Sequence, residues 1–195
     1  MTMSATPNPV NVIELIPRGA AEFGSRVQLV PPDRWTDPTP CTEWTVRDLV
    51  NHLVSEHLWV PDLLAGKTMQ EVGDRFDGDV LGDDPIGAWN SAIQASLAAW
   101  NEASEDQIVH LSFGDAEAHE YAEQMLSDLV IHAWDLARGA GLDEHLDGIL
   151  VEHVYGYLEP RASQWSGFGI FSGPVDVDPA SGLQDLLLGL TGRKP

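Results

Sequence analysis

The stretch SDLVIHAWDLARGAG, residues 127–141, puts a carboxylate and an imidazole one helical turn apart. Asp128 and His132 stand at i and i+4, so a helix brings their side chains together. At about 100° per residue, Met125, Leu129, His132, Ala133 and Leu136 fall in one apolar arc with Ala122 beside them, and His132 lies near its middle. Asp128 and Asp135 share one flank, where Tyr121 also projects a heptad before Asp128. A buried neutral imidazole needs two hydrogen-bond partners, and a buried carboxylate is costly unless paired. A direct Asp128–His132 hydrogen bond would satisfy both groups. A shared divalent cation would do so as well.

A second imidazole comes from VRDLVNHLVSEH, where His52 sits on the margin of another apolar stripe, in heptad line with Thr45 and Trp59. If the two helices pack side by side, His52 faces the Asp128–His132 pair. Two His and one Asp are three N/O ligands, a set that suits Zn²⁺ or another first-row divalent metal and leaves positions for water or substrate. Glu56, next to His52 on that helix, is either an outer partner, an extra ligand or a solvated acid. His57, His110, His119, His145 and His153 are expected on the surface or in structural hydrogen bonds.

These residues need helices to hold them. Thr45 and Asp48 form a capping-box pattern ahead of the stripe Val46, Leu49, Val50, Leu53, Val54 and Leu58, with Pro61 expected to end or bend the helix. Asp84 and Pro85 start another, carrying Ile86, Trp89, Ile93, Leu97 and Trp100. An earlier helix lies within 8–30, made irregular by Pro17 and Gly24, and a Pro-rich loop follows at 31–41. Residues 107–113 read as a short strand broken at Gly114-Asp115. The helix of the opening stretch should cover about 117–138 and stop at Gly139. A further helix is expected at about 143–163, then loop or strand, then a short terminal helix. The whole is one domain over 1–195, all-α with minor short strands, and a helical bundle is its default architecture.

The chain has 195 residues, 43% of them apolar, and 10 Lys and Arg against 31 Asp and Glu, a net charge of −21. Such a surface repels nucleic acids and anionic membranes, so neither is expected as a partner. The single cysteine, Cys41, excludes an intramolecular disulfide and a Cys-rich zinc site, and is expected to be structural. The N-terminus has no signal-peptide pattern and no stretch is long and apolar enough to span a bilayer, so a cytoplasmic location is expected. Trp134, placed opposite the apolar arc, predicts a second packing surface such as a homodimer face.

Three stretches in order, TPCTEWTVRDLVNHLV, DLVIHAWDLARGAG and LLLGLTGRKP, together resemble an actinobacterial metal-binding family. It is related to the N-terminal domain of mycothiol-dependent maleylpyruvate isomerase, within the DinB/YfiT-like superfamily. The resemblance runs from about Trp35 to the C-terminus. It implies a DinB-like bundle of four main helices holding one divalent metal, zinc first and nickel second. Carried over by position, the ligands are His52, Asp128 and His132. The isomerase pattern has Glu at the place of Asp128, and many relatives have His. The chain is also expected to end without the isomerase's separate second domain.

Three functions stay open at this point. In the first, the metal activates a small thiol such as mycothiol in a transferase or isomerase reaction. Asp135 or Glu56 would then orient a ligand or move a proton, and Tyr121 would line the pocket. The second keeps the site but activates water, as a metallohydrolase. The third is a non-catalytic metal- or ligand-binding bundle, or a dimerising one, with a regulatory or stress role. Arg47, Arg138 and Arg161 are the candidate anion clamps.

Overall fold

Helix starts are set by side-chain caps, and the caps lie where the spacing places them. Thr45 accepts from the Asp48 amide while the Asp48 carboxylate accepts from the Thr45 amide, opening α2 (Val46–Leu64) with a complete capping box. Asp84 accepts from the Gly87 amide ahead of α4 (Pro85–Glu102). Asn11 does the same for α1 (Val12–Leu29). The computed structural model describes residues 11–161 and 173–195. A one-turn α3 (Met69–Val72) lies between α2 and α4. After α4 come a hairpin, β1 (Ile108–Leu111) with β2 (Gly114–Glu117), and the long α5 (Ala118–Ala140). Then follow α6 (Gly148–Leu158), a 3-10 turn (Glu159–Arg161) and α7 (Leu183–Leu190).

Four long helices, α1, α2, α4 and α5, form the all-α bundle, and α6 and α7 pack onto it. The α1–α5 and α2–α4 contacts are the most extensive, and α5 also meets α2 and α6. Burial of Trp89, Trp100, Trp134, Phe23 and the aliphatic stripes of α1, α2 and α5 supplies the core. No helix among the described residues is long and apolar enough to cross a membrane.

Several boundaries differ from the expectation, each for a physical reason. α1 is continuous through Pro17 and Gly24, because its buried face (Ile16, Ala20, Phe23, Val27) outweighs one missing backbone donor. Pro61 likewise lies inside α2. Gly114-Asp115 does not end a lone strand: it begins β2, which pairs antiparallel with β1, Leu111 opposite Gly114 and His110 opposite Asp115. The expected helix at 143–163 begins later, at Gly148, capped by Asp147, and residues 162 and 163 lie outside those described. Trp134 is 1% exposed, not a surface residue, because α6 and the last turns of the chain close over α5, and Arg138 stacks on its indole at 4.3 Å.

The helix of the opening stretch stops at Ala140, with Gly141 in the left-handed region (φ 70°) as its cap. Gly139 lies inside it, where the loop before α2 crosses. A Cβ there would stand 2.9 Å from Thr39 Cγ2, 3.1 Å from Val46 Cγ2 and 3.2 Å from the Pro38 carbonyl. Helix propensity alone favours Ala over Gly by about 0.8–1.0 kcal/mol. Overpacking against a fixed carbonyl costs about 1–3 kcal/mol. Gly139→Ala is therefore expected to lower unfolding free energy by about 1 kcal/mol in urea titrations. An equally stable or more stable variant would contradict this account of the contact.

Candidate metal centre

The loop that crosses Gly139 also aims two side chains at α5. Pro38 bridges Thr45, the Thr39 amide donates to the Trp44 carbonyl at 3.0 Å, and the Trp44 amide donates to the Cys41 carbonyl at 3.0 Å. Glu43 takes φ 74° in this turn, a rare conformation for a residue with a side chain. The turn sends Cys41 inward and lays Trp44 against His52, ring centroids 4.8 Å apart.

Where α2 meets α5, the three predicted ligands converge. His52 Nε2 lies 3.1 Å from Asp128 Oδ2, and His132 Nε2 lies 3.9 Å from Asp128 Oδ1. One donor atom from each of the three residues falls within 4.8 Å of the other two. A tetrahedral site with bonds of about 2.0–2.1 Å has ligand–ligand edges of about 3.4 Å, so donors within 4.8 Å of one another would close on a zinc-class ion by moving about an ångström. Asp128, one methylene shorter than the Glu of the isomerase pattern, still reaches both imidazoles.

The state of His132 follows from its other nitrogen. Nδ1 lies 2.9 Å from Asp135 Oδ2. Burial would raise the Asp135 carboxyl, but hydrogen bonds from His132 and Arg193, with the Arg193 charge, outweigh it and bring the pKa down to about 2. An ionised carboxylate only accepts, so Nδ1 carries the proton and donates. In the neutral ring Nε2 then holds its lone pair towards Asp128 and His52. A histidine ligand oriented by a carboxylate behind it is the usual outer arrangement of a metal site. Asp128 behaves similarly: burial would raise its carboxyl, and the His52 hydrogen bond, with the Arg193 guanidinium, holds it below the ordinary range.

Arg193 was not among the anion-clamp candidates. Its Nε donates to Asp135 Oδ1 at 3.2 Å and its Nη2 to Oδ2 at 2.7 Å, a bidentate pair that is almost wholly buried. The turn after α7, with Gly192 at φ 85°, aims the chain back at α5. Cys41 completes this outer group. Its thiol donates to Asp135 Oδ2 at 3.2 Å and sits 3.3 Å from Arg193 Nη2. Burial, with the Asp135 charge, pushes the thiol up to about 12, so it stays protonated at neutral pH and fills a structural role. Cys41, His132 and Asp135 also cluster closely enough to hold an ion, but the guanidinium against Asp135 already supplies the positive charge there.

Glu56 lies one turn beyond His52 on α2. Burial first, and the Asp128 charge, raise its carboxyl, with His52 opposing. Tyr121, two turns before Asp128, is buried with its ring 5.3 Å from Trp100, and its hydroxyl has no hydrogen-bond partner among the described residues. Both oxygens of Asp135 are taken by Arg193, with His132 and Cys41 on the same carboxylate, so it is placed to orient His132. Among the other five histidines, His57 lies on Ser96 at 2.9 Å, His110 on Asp115 at 2.7 Å, His119 3.5 Å from Glu105 and His153 on Glu123 at 3.0 Å. Arg47 is held by Asp79, Arg138 by Glu144, and Arg161 by the Tyr157 carbonyl.

Residues 16–137 match the model of the mycothiol maleylpyruvate isomerase N-terminal domain, a segment that spans His52, Asp128 and His132. The chain belongs to this family. An uncharacterized protein of Mycobacterium tuberculosis, present in two strains, is 28% identical over 130 residues, covering 67% of this chain and 68% of that protein. In fold, the chain is similar to the crystal structure of the mycothiol-dependent maleylpyruvate isomerase, with TM-score 0.69 and 17% identity over 93% of this chain and 88% of the other. A mutant of that isomerase superposes equally well, at 16% identity. The structural likeness therefore runs past residue 137 into α6.

Proposed function

We propose that this family member binds one divalent ion, zinc first and nickel second, through His52, Asp128 and His132. We further propose that it works with a small thiol, mycothiol being the thiol for which the family is named. The observation that carries the reading is the convergence of three N/O donors from α2 and α5, with His132 Nδ1 pinned by an ionised Asp135. Bound there, such an ion supplies Lewis acidity that lowers the pKa of a thiol brought against it.

The chain's own residues have separable roles. His52, Asp128 and His132 hold the ion. Asp135 fixes the tautomer and angle of His132, and Arg193 keeps Asp135 ionised and in place. Trp44 covers the half-buried His52 ring. Glu56, one turn beyond His52 and with its carboxyl raised by burial, is the candidate to orient a bound molecule or move a proton. Cys41 is not the nucleophile, because the reacting thiol arrives with the small molecule.

The test is consumption of mycothiol in the presence of a model electrophile by zinc-loaded protein, by EDTA-treated protein and by His52→Ala. Saturable turnover is expected with zinc alone, and loss of it in both other samples. Equal turnover by His52→Ala would contradict the assignment. Turnover of esters without any thiol would favour the hydrolytic reading instead.

A further inference from the structure

Of the three proposed ligands, His132 is the hardest to reach. Its side chain is 6% exposed, against 28% for His52 and 21% for Asp128. Two of the groups that cover it come from one turn, residues 39–44. The Trp44 ring lies 6.0 Å from the His132 ring and 4.8 Å from that of His52, centroid to centroid, so the indole spans both imidazoles. Cys41 Sγ lies 3.7 Å from His132 Nδ1, on the side held by Asp135.

The turn has a fixed base. Pro38 bridges Thr45, the Val46 amide donates to the Asp37 carbonyl at 2.9 Å, and the Arg47 amide donates to the Trp35 carbonyl at 2.9 Å. Thr39 Oγ1 and the Thr39 amide both donate to the Trp44 carbonyl, at 2.9 and 3.0 Å, which ties residues 39–44 into one unit. Thr42 and Glu43 at its tip are exposed, while Cys41 and Trp44 beside them reach α5 and α2 through their side chains. Glu43, at φ 74°, is the one non-glycine in the left-handed region among the described residues. Strain of that kind is of the same order as the contribution of an aromatic pair. Opening returns Glu43 to negative φ, whereas the Trp44 contacts hold the turn shut, so the two effects oppose each other. The helices α2 and α5 are packed along their lengths, and parting them would cost far more than moving one turn.

We propose that residues 39–44 are a strap over the metal centre, and that the strap swings off α5 as a unit to admit an ion or small molecule to His132. In that movement Trp44 leaves the two imidazoles and Cys41 leaves Asp135 together. The proposal rests on the metal reading above for what the strap encloses. The covering of His132 is independent of it.

Cys41 is the single cysteine of the chain, so its labelling reports the strap alone. Metal-free protein is treated with iodoacetamide to alkylate Cys41 and, separately, with diethyl pyrocarbonate to modify His132, both rates being read by peptide mass spectrometry. Trp44→Ala removes the contacts that hold the strap shut and is expected to raise both rates together, by up to about tenfold. Glu43→Asp keeps the charge and tolerates positive φ better, and is expected to slow both by about threefold. Modification of His57, buried within the bundle, should not change in either variant. If it rises in Trp44→Ala, that variant has loosened the fold, and the slowing in Glu43→Asp decides. Rates unchanged in Glu43→Asp, or Cys41 and His132 responding separately, would overturn the proposal. In zinc-loaded protein, transfer of zinc to EDTA should follow the same order of variants. Linked rates in a protein that takes up no zinc would sink the metal reading and leave the strap standing. Zinc uptake with unlinked rates would do the reverse.

Discussion

His132→Ala is expected to weaken zinc binding by well over 100-fold while leaving the helical content of the protein unchanged. Losing an outer partner of a metal ligand typically costs about 10–100-fold in affinity, and His132 is placed as a ligand itself. Its Nε2 is directed at Asp128, and its ring is already oriented from behind by Asp135, so truncation removes a donor that has no alternative task. Fold loss is not the expected cause, because α5 remains packed on α1, α2 and α6 through Leu126, Leu129, Ile131 and Leu136. Asp135→Asn separates the two layers of the site. It keeps the shape but offers His132 a weaker acceptor, and should fall within the 10–100-fold range. Isothermal titration with zinc in a weak competing buffer reads the order. An Asp135→Asn effect larger than that of His132→Ala would contradict the assignment of inner and outer roles.

Asp135→Ala is expected to cost about 3–5 kcal/mol of unfolding free energy, the range for breaking a buried ion pair by removing one partner. The Asp135 side chain is fully buried and that of Arg193 is 8% exposed, so the abandoned guanidinium has little access to water. The same carboxylate also accepts from Cys41 and His132, and those donors lose it together. Arg193→Met alone should be costly as well, since it leaves a buried carboxylate with weaker partners. The pair Asp135→Leu/Arg193→Met should cost much less than the sum of the single variants, because it removes both charges. Urea titrations in EDTA keep metal linkage out of the comparison. Additive single effects would show that the two groups do not act as a buried pair.

What the amino-acid sequence disclosed about this site was local. Asp128 and His132 lie one turn apart, so helical periodicity alone puts them on one side of α5. His52 follows from its place at the margin of the α2 stripe. The Thr45–Asp48 capping box and the Asp84-Pro85 start disclosed two helix starts for the same reason, since each motif is complete within four residues. A helical bundle was legible from the long apolar stripes, and the family resemblance implied its four main helices. The support behind the site was not. Arg193 is 58 residues from Asp135 and Cys41 is 94 residues before it, and no periodicity relates them. The one available signal was that Arg193 sits in LLLGLTGRKP, a stretch that helped to carry the family resemblance. Trp134 was misplaced because a single-face wheel treats α5 as an outer helix, whereas it is covered by α1, α2 and α6. The end of α5 was placed early because Gly139 reads as a stop signal, although its small size serves a crossing loop instead.

The most direct test is the metal content of protein purified without a histidine tag, by elemental analysis, for wild type and for Asp128→Ala and His132→Ala. The account predicts close to one equivalent of zinc or nickel per wild-type chain and almost none in either variant, all three sharing the same circular dichroism spectrum. A wild-type chain that carries no such ion and takes none up on titration would leave His52, Asp128 and His132 as a hydrogen-bonded cluster, and would contradict the central claim.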